Sequence, residues 1–303
     1  MERIALILED LYLAIKVELI DRVLRPNYYK SDEIDQRYPT FKNLLNNVDS
    51  TFTKEDGNFT EFELSVKYSN EPIRITKASL LNKSYGKNKP NLIFHHGAGE
   101  IGKISTVSIL VNRKIKQKFN VFFIRAAHHK SRKDYLRNCQ SSFLKWMLTF
   151  IGSTLIVEEL LKVVPGKTIV SGISMGGIVS TLHFLEFNSV QYYVPLLGYN
   201  DVPKIFLESY AFSNSIDKRD ERVRNASLMN SFSYKNRLSE KNKDKVIPIL
   251  GKFDKFIDYD AASKFWEGYQ VRVFDVGHSS ILVKRKQIRK LYLQLAKELN
   301  ERK

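Results

Sequence analysis

The feature that most constrains the fold is the segment Gly-Ile-Ser-Met-Gly-Gly at residues 172–177, which follows a β-branched run at 168–170. Ser174 lies between Gly172 and Gly176 in a G-x-S-x-G pattern, which is typical of a sharp turn from a strand into a helix. Glycines suit such a turn because neighbouring backbone approaches where a Cβ would clash. The pattern therefore predicts a strand, a tight turn that exposes the serine hydroxyl, and a helix. Three small residues are a short pattern, so the rest of the chain must support it.

Three other polar segments also stand just after predicted strands. Glycine occurs in each of them, and the polar residues include a histidine or an aspartate. These segments are residues 95–99 (HHGAG), 251–254 (GKFD) and 277–279 (GHS), after strands predicted at 91–94, 246–250 and 271–274. The four segments together hold a serine, an aspartate and a histidine, each at the end of a strand, in that chain order.

This order along the chain resembles the α/β-hydrolase fold, whose catalytic triad runs serine, acid, histidine. The resemblance covers roughly residues 60 to 300. It implies a serine hydrolase that cleaves a carboxylic ester through an acyl-enzyme and uses no cofactor. A peptidase, a thioesterase and an acyltransferase remain open because they use the same triad. A non-catalytic binding protein of the same fold also remains open.

The resemblance assigns roles to five residues. Ser174 is the expected nucleophile, and His278 is the expected base because an imidazole with a pKa near 6.5 can take the hydroxyl proton. Asp254 is expected to fix the tautomer of that imidazole and to stabilise the imidazolium. The backbone N–H groups of Met175 and Ala98 are expected to bind the oxyanion of the tetrahedral intermediate.

The acid has two rivals in the same loop. Asp258 and Asp260 lie a few residues beyond Asp254. We prefer Asp254 because it lies closest to the preceding strand and matches the G-x-x-D spacing of the family from Gly251. Replacement of Asp254 by Asp258 remains open at this point.

Three further histidines are candidates for lining the cleft. They are His96, His128 and His129, each located just after a predicted strand. We expect His96 to brace the oxyanion loop by hydrogen bonding. A metal site is not expected, because no carboxylate or cysteine stands at ligand spacing from these histidines.

The net charge of +16 arises from 49 basic and 33 acidic residues spread along the chain. The densest basic cluster, at 284–290, falls on a predicted C-terminal helix whose apolar positions recur at helical spacing. These charges are therefore expected on a solvated face, and no nucleic-acid partner is expected. Weak association with anionic membranes remains open. The expected partner is a small-molecule ester or acyl substrate, and the oligomeric state is left open.

The chain is expected to be cytoplasmic. Charged residues such as Glu9 and Asp10 interrupt the apolar N-terminal stretch, so no signal peptide is predicted. The longest uncharged apolar run, 146–157, is shorter than the ~20 residues that a membrane-spanning helix needs. The single cysteine, Cys139, cannot form an internal disulfide.

The periodicity of the chain predicts an α/β fold with a mostly parallel sheet, an antiparallel N-terminal hairpin, helices on both faces and a small helical cap insertion. An amphipathic helix at 2–25 precedes a polar connector and a hairpin built from alternating residues at 62–68 and 73–76. Strands and helices are then predicted at 91–95, 103–117, 119–125, 141–163, 168–173, 175–187 and 190–197. The predicted units are an N-terminal helical segment at 1–50, a hydrolase core at 51–200 and 246–303, and a cap at 201–245.

Overall fold

A computed structural model describes residues 7, 39–54, 60–100, 106–139, 143–208 and 242–301. Apart from residue 7, the helix predicted at 2–25 lies outside the described residues. The predicted cap also lies outside them, except for its first and last residues.

The centre of the fold is a nine-stranded sheet in the order β1-β2-β3-β5-β4-β6-β7-β8-β9. The strands β1 to β9 are Asp49–Lys54, Glu61–Lys67, Arg74–Leu80, Asn91–His95, Asn120–Arg125, Thr168–Ile173, Tyr192–Leu196, Ile249–Gly251 and Arg272–Phe274. Strands β1, β2 and β3 pair antiparallel with one another, and β3 pairs antiparallel with β5. All pairs from β5 through β4 to β9 are parallel. The predicted mostly parallel sheet with an antiparallel N-terminal hairpin is confirmed.

Helices connect the parallel strands. Helices α1 to α9 are Phe41–Asn47, Thr106–Leu110, Arg113–Lys118, Arg132–Asp134, Phe143–Val163, Met175–Glu186, Val202–Glu208, Tyr259–Phe265 and Arg285–Glu301. Helix α4 continues into a π-helical turn at Tyr135–Cys139, and 3₁₀ turns occupy Lys243–Lys245 and Ser280–Lys284. None of the described helices is both long enough and apolar enough to cross a bilayer.

The helices cover both faces of the sheet, as predicted. One buried cluster joins residues of α1, α5, α6 and α8 to one face, and a second joins residues of α2, α3 and α9 to the other. Helix α9 buries one apolar stripe, and its basic residues 285, 286 and 290 are exposed. The charges of this helix therefore mainly face solvent, as its periodicity predicts, whereas the Arg289 side chain is partly buried and donates to the Leu110 carbonyl.

The antiparallel strands follow the alternation of the sequence closely at β2, where Phe62, Leu64 and Val66 are buried. Strand β1 was not predicted, because residues 26–60 read as a polar connector. Its only partly buried residue is Phe52, whose ring stacks on that of Phe62 at 5.9 Å between centroids. One apolar side chain in six residues leaves no alternation for a sequence pattern to detect.

The region predicted as one helix at 103–117 contains two. Helix α2 ends at Leu110, and Asn112 caps α3 by accepting a hydrogen bond from the Ile115 N–H at 3.1 Å. An asparagine favours this cap position because its side-chain oxygen satisfies an N–H of the first turn. The apolar spacing continues across the break, which is why periodicity alone joined the two helices.

Candidate active site

Ser174 lies on the turn between β6 and α6, near the middle of the sheet. Its backbone has φ 56° and ψ −115°, a conformation that costs a residue with a Cβ of the order of 1–3 kcal/mol. Because β6 pairs with β4 on one side and β7 on the other, neighbouring strands on both sides hold the turn. The G-x-S-x-G segment thus forms the strained strand-to-helix turn that its sequence predicts.

The two glycines of the pattern are required by close backbone approach. A Cβ on Gly172 would lie 2.6 Å from the carbonyl carbon of Gly176, and a Cβ on Gly176 would lie 2.2 Å from the carbonyl oxygen of His95. Neither distance leaves room for a methyl group, because backbone atoms cannot move aside as a flexible side chain can. The motif therefore packs the start of α6 directly against the ends of β4 and β6.

The structure brings Ser174, His278 and Asp254 into one hydrogen-bonded chain. The Ser174 hydroxyl donates to His278 Nε2 at 2.9 Å, and His278 Nδ1 donates to Asp254 Oδ2 at 2.7 Å. Ser174 and His278 are 104 residues apart in the sequence, and Asp254 and His278 are 24 apart. Only folding brings them together. The Asp254 side chain is 2 % exposed and the His278 side chain 15 % exposed. A buried acid, a partly accessible base and a hydroxyl are thus bonded in the order acid–base–hydroxyl, which is the arrangement that activates a nucleophile.

The backbone fixes the orientation of the Asp254 carboxylate. Its Oδ1 accepts hydrogen bonds from the N–H groups of Phe256 at 2.8 Å and Ile257 at 2.9 Å, which leaves Oδ2 for His278. The loop of Asp254 is also tied to the loop of His278, because the Phe253 N–H donates to the Val276 carbonyl at 3.0 Å. The acid and the base therefore keep their relative positions through main-chain bonds.

The two rival acids lie elsewhere. Asp258 is the N-cap of α8, where its Oδ1 accepts a hydrogen bond from the Ala261 N–H at 2.6 Å. Asp260 lies in the first turn of the same helix and is exposed. Of the three aspartates, Asp254 is the one bonded to the imidazole of His278.

The segment predicted to bind the oxyanion lies beside the serine. A Cβ built on Gly97 would lie 3.5 Å from the Ser174 Cβ, so this backbone lies next to the nucleophile turn. Ala98 is partly buried and follows directly. Met175 is the first residue of α6, and the first helical bond runs from the Ile178 N–H to the Ser174 carbonyl. The N–H of Met175 therefore has no acceptor within the helix and lies next to the serine.

His96 holds the backbone on both of its sides. Its Nδ1 donates to the Gly97 carbonyl at 2.7 Å, and its Nε2 accepts from the Ala126 N–H at 3.0 Å. These two bonds define a neutral tautomer and connect the loop after β4 to the end of β5. Burial lowers the pKa of His96 well below its usual value, in agreement with that neutral form.

Of the other two histidines proposed to line the cleft, His129 is buried and His128 is partly buried. His129 is 1 % exposed, its Nδ1 donates to the Ala127 carbonyl at 2.8 Å, and its ring packs on those of His96 and Tyr135. His128 has φ 62°, and its Nδ1 donates to Asp134 Oδ1 at 3.0 Å. Burial lowers the pKa of His129 to about 3 and also lowers that of His128. His96 and His129 are thus neutral packing groups within the protein interior.

Two contacts of the site were missed by sequence reasoning. The Phe256 ring packs on the His278 ring with 4.7 Å between centroids, and the side chain of Glu100 binds the backbone of the loop after β4. The position of Phe256, two residues after Asp254, is only a weak sequence signal for its contact with His278. No pattern in the sequence singles out Glu100. Within the described ranges, no group of three or more His, Cys, Asp or Glu side chains is arranged to hold a metal ion.

No protein-family model matches the chain, and no curated protein matches it. Solved structures do match. Acetyl xylan esterase 1 from Thermoanaerobacterium sp. JW/SL YS485 superposes with a TM-score of 0.58 at 13 % identity, over 89 % of this chain and 99 % of the esterase. Est1E from Butyrivibrio proteoclasticus superposes with a TM-score of 0.52 at 14 % identity, over 77 % of this chain and 98 % of Est1E. At these identities the likeness is one of fold.

A peptidase has a similar fold in one part of its chain. The acylaminoacyl peptidase of Pyrococcus horikoshii matches with a TM-score of 0.51 at 13 % identity, over 81 % of this chain and 43 % of the peptidase. The chain described here therefore has the α/β-hydrolase fold, as the order of its motifs predicts.

Proposed function

We propose that this protein is a serine hydrolase that cleaves carboxylic esters through an acyl-enzyme. The observation that carries the proposal is the bonded chain from Asp254 through His278 to Ser174, with distances of 2.7 and 2.9 Å. A serine hydroxyl is a weak nucleophile at neutral pH, and an imidazole oriented by a buried carboxylate is the arrangement that activates it.

The reaction proceeds in two halves. Ser174 Oγ passes its proton to His278 Nε2 and attacks the ester carbonyl carbon, and the resulting oxyanion accepts hydrogen bonds from the N–H groups of Met175 and Ala98. His278 then protonates the departing alcohol, which leaves an acyl group on Ser174. A water molecule gives a proton to His278 and attacks the acyl carbon, and the carboxylic acid leaves as Ser174 recovers its proton. Asp254 stabilises the imidazolium in both halves without taking up a proton.

An ester is the preferred substrate class over a peptide because of the extent of the structural likeness. The chain matches 99 % of acetyl xylan esterase 1 and 98 % of Est1E, whereas it matches 43 % of the acylaminoacyl peptidase. Esterases and peptidases use the same triad chemistry, so the substrates that are assayed must include both esters and peptides.

Turnover of short p-nitrophenyl esters by the purified protein and by Ser174→Ala tests the proposal. We expect wild-type turnover and a loss of at least about 10³-fold in kcat for the variant, with a nearly unchanged melting temperature. Undiminished turnover by Ser174→Ala would reject the assignment. Thioesters, anilides and peptides assayed beside the esters decide the substrate class, and faster cleavage of a peptide than of any ester would contradict the ester proposal.

A further inference from the structure

The loop that follows β4 is a four-residue turn whose shape is set by its own last residue. The Glu100 N–H donates to the Gly97 carbonyl at 3.0 Å, which closes a turn with Ala98 and Gly99 at its corners. This i to i+3 bond uses the backbone N–H of the last residue only. The N–H of Ala98 takes no part in closing the turn, and it is the group that the proposed mechanism assigns to the oxyanion.

The Glu100 side chain folds back onto the start of the same turn. Its Oε1 accepts a hydrogen bond from the Gly97 N–H at 2.8 Å, so the first and last residues of the turn are joined twice. Gly97 is then held on both of its polar groups, because its carbonyl also accepts from His96 Nδ1 at 2.7 Å. The bond to Glu100 Oε1 therefore restrains the peptide group between His96 and Gly97, and the bonds to the Gly97 carbonyl restrain the peptide group that carries the Ala98 N–H.

The same carboxylate also anchors the turn to helix α2. Glu100 Oε1 accepts from the Thr106 hydroxyl at 2.5 Å, and Oε2 accepts from the Thr106 N–H at 2.5 Å. Hydrogen bonds to an ionised acceptor are roughly twice as strong as neutral ones. Two such bonds attach the turn to a helix that is itself part of the buried core through Val107 and Leu110.

The anchored peptide lies beside the nucleophile turn. A Cβ on Gly97 would lie 3.4 Å from the Ile173 carbonyl oxygen and 3.5 Å from the Ser174 Cβ. A rotation or shift of this peptide therefore changes the position of the adjacent N–H relative to the Ser174 hydroxyl. Oxyanion donors act within a narrow range, about 2.7–3.1 Å from the developing charge, so small shifts remove much of their effect.

We propose that Glu100 is the positioning residue of the oxyanion hole, which aims the Ala98 N–H at the reacting carbonyl by fixing the Gly97 peptide against α2. This inference rests on the proposed function and adds to it a residue that does not touch the substrate. Its effect is transmitted through Gly97 and appears only when an oxyanion forms. The transition state is therefore affected more than substrate binding.

The test compares Glu100→Ala and Glu100→Gln with wild type, with Glu159→Gln as the control. Glu159 lies on α5, and its carboxylate binds the side chain of Lys162 at 2.6 Å, away from this loop. For each protein, kcat and KM are measured on a p-nitrophenyl ester, Ki on a trifluoromethyl ketone, and the melting temperature by calorimetry. The ketone adds to the serine as a hemiketal whose oxyanion occupies the same donors.

We expect Glu100→Ala to lower kcat by about 10²-fold and to raise Ki for the ketone by a similar factor, while KM stays within about twofold. Glu100→Gln should recover part of this loss, about tenfold, since its amide oxygen can still accept from the Gly97 N–H. Glu159→Gln should match wild type in every quantity.

The inference is overturned if Glu100→Ala turns over the ester at the wild-type rate, or if kcat falls while Ki for the ketone does not change. It is also overturned if both Glu100 variants lose activity equally along with several degrees of melting temperature, which is the result of a purely structural role. Turnover by wild type together with an unaffected Glu100→Ala rejects this inference alone. Absence of wild-type turnover on every substrate rejects the proposed function and this inference with it.

Discussion

Replacing Asp254 with asparagine should disable His278 without disturbing the fold. The carboxylate has two backbone donors on Oδ1, from Phe256 and Ile257, and the imidazole on Oδ2. An asparagine in this position must direct its amide oxygen at the two N–H groups, because its NH₂ group cannot accept from them. The NH₂ group then faces His278 Nδ1, which must become an acceptor.

This inversion places the imidazole proton on the wrong nitrogen. With Nδ1 as acceptor, the neutral ring of His278 carries its proton on Nε2, which is the atom that accepts from the Ser174 hydroxyl in the native site at 2.9 Å. A protonated Nε2 cannot remove the hydroxyl proton. In the serine protease that serves as the template for this triad, the same Asp-to-Asn change lowers kcat by about 10⁴-fold, which equals about 5.5 kcal/mol in the barrier. We expect a loss of the same order here.

Asp258→Asn is the matched control, because it makes the same chemical change four residues away. Asp258 caps α8 through one N–H, and asparagine caps a helix as well as aspartate does. We expect its kcat on a p-nitrophenyl ester to equal that of wild type and its stability to change by less than about 1 kcal/mol. Loss of turnover in Asp258→Asn with full activity in Asp254→Asn would refute the reasoning.

The remaining predictions concern the turn and the buried histidines. Gly176→Ala should cost about 3 kcal/mol in urea unfolding, because its Cβ would lie 2.2 Å from a carbonyl oxygen. Gly99→Ala, with no atom within 4 Å of the added methyl, should change stability by less than about 0.5 kcal/mol, and equal costs would contradict the close packing. Ser174→Gly should unfold at a higher urea concentration than Ser174→Ala, because glycine adopts the φ of 56° without strain. Burial lowers the folded-state pKa of His95 and His129 to about 3, so the unfolded chain binds more protons below pH 6.5. Stability should therefore fall with decreasing pH between about 6.5 and 3, with a loss of about 2 kcal/mol per histidine between pH 7.5 and 5. A flat urea midpoint over that range would show that the two rings take up protons in the folded protein as readily as in the unfolded chain.

The sequence predicted the parallel part of the sheet well because those strands are short, apolar and separated by helical periodicity. Strand β6 and helix α6 have nearly the predicted limits, 168–173 and 175–186. The prediction failed where apolar content is low or where a cap decides the structure. Strand β1 offers only Phe52 as a marker, and the break before α3 depends on the side chain of Asn112.

The candidate site, too, could be predicted from the sequence only in part. Ser174, His278 and Asp254 could be proposed from the sequence because each stands at a glycine-containing segment after a predicted strand. The sequence favoured Asp254 over Asp258 by its position after the strand and its spacing from Gly251, but Asp258 stayed open because the roles depend on which backbone N–H groups each carboxylate reaches. The bonds of Glu100 were beyond prediction for the same reason: they join a turn to a helix through side-chain geometry that leaves no spacing pattern.

The central claim is that the Ser174 hydroxyl forms the covalent acyl intermediate. The most direct test mixes the protein with p-nitrophenyl acetate, quenches it in acid within the first turnover and maps the peptides by mass spectrometry. We expect one acetyl group on the peptide that carries Ser174, none in Ser174→Ala, and a much slower appearance in His278→Ala. Hydrolysis of the ester with Ser174 unmodified, or acetylation that persists elsewhere in Ser174→Ala at the wild-type rate, would contradict the account.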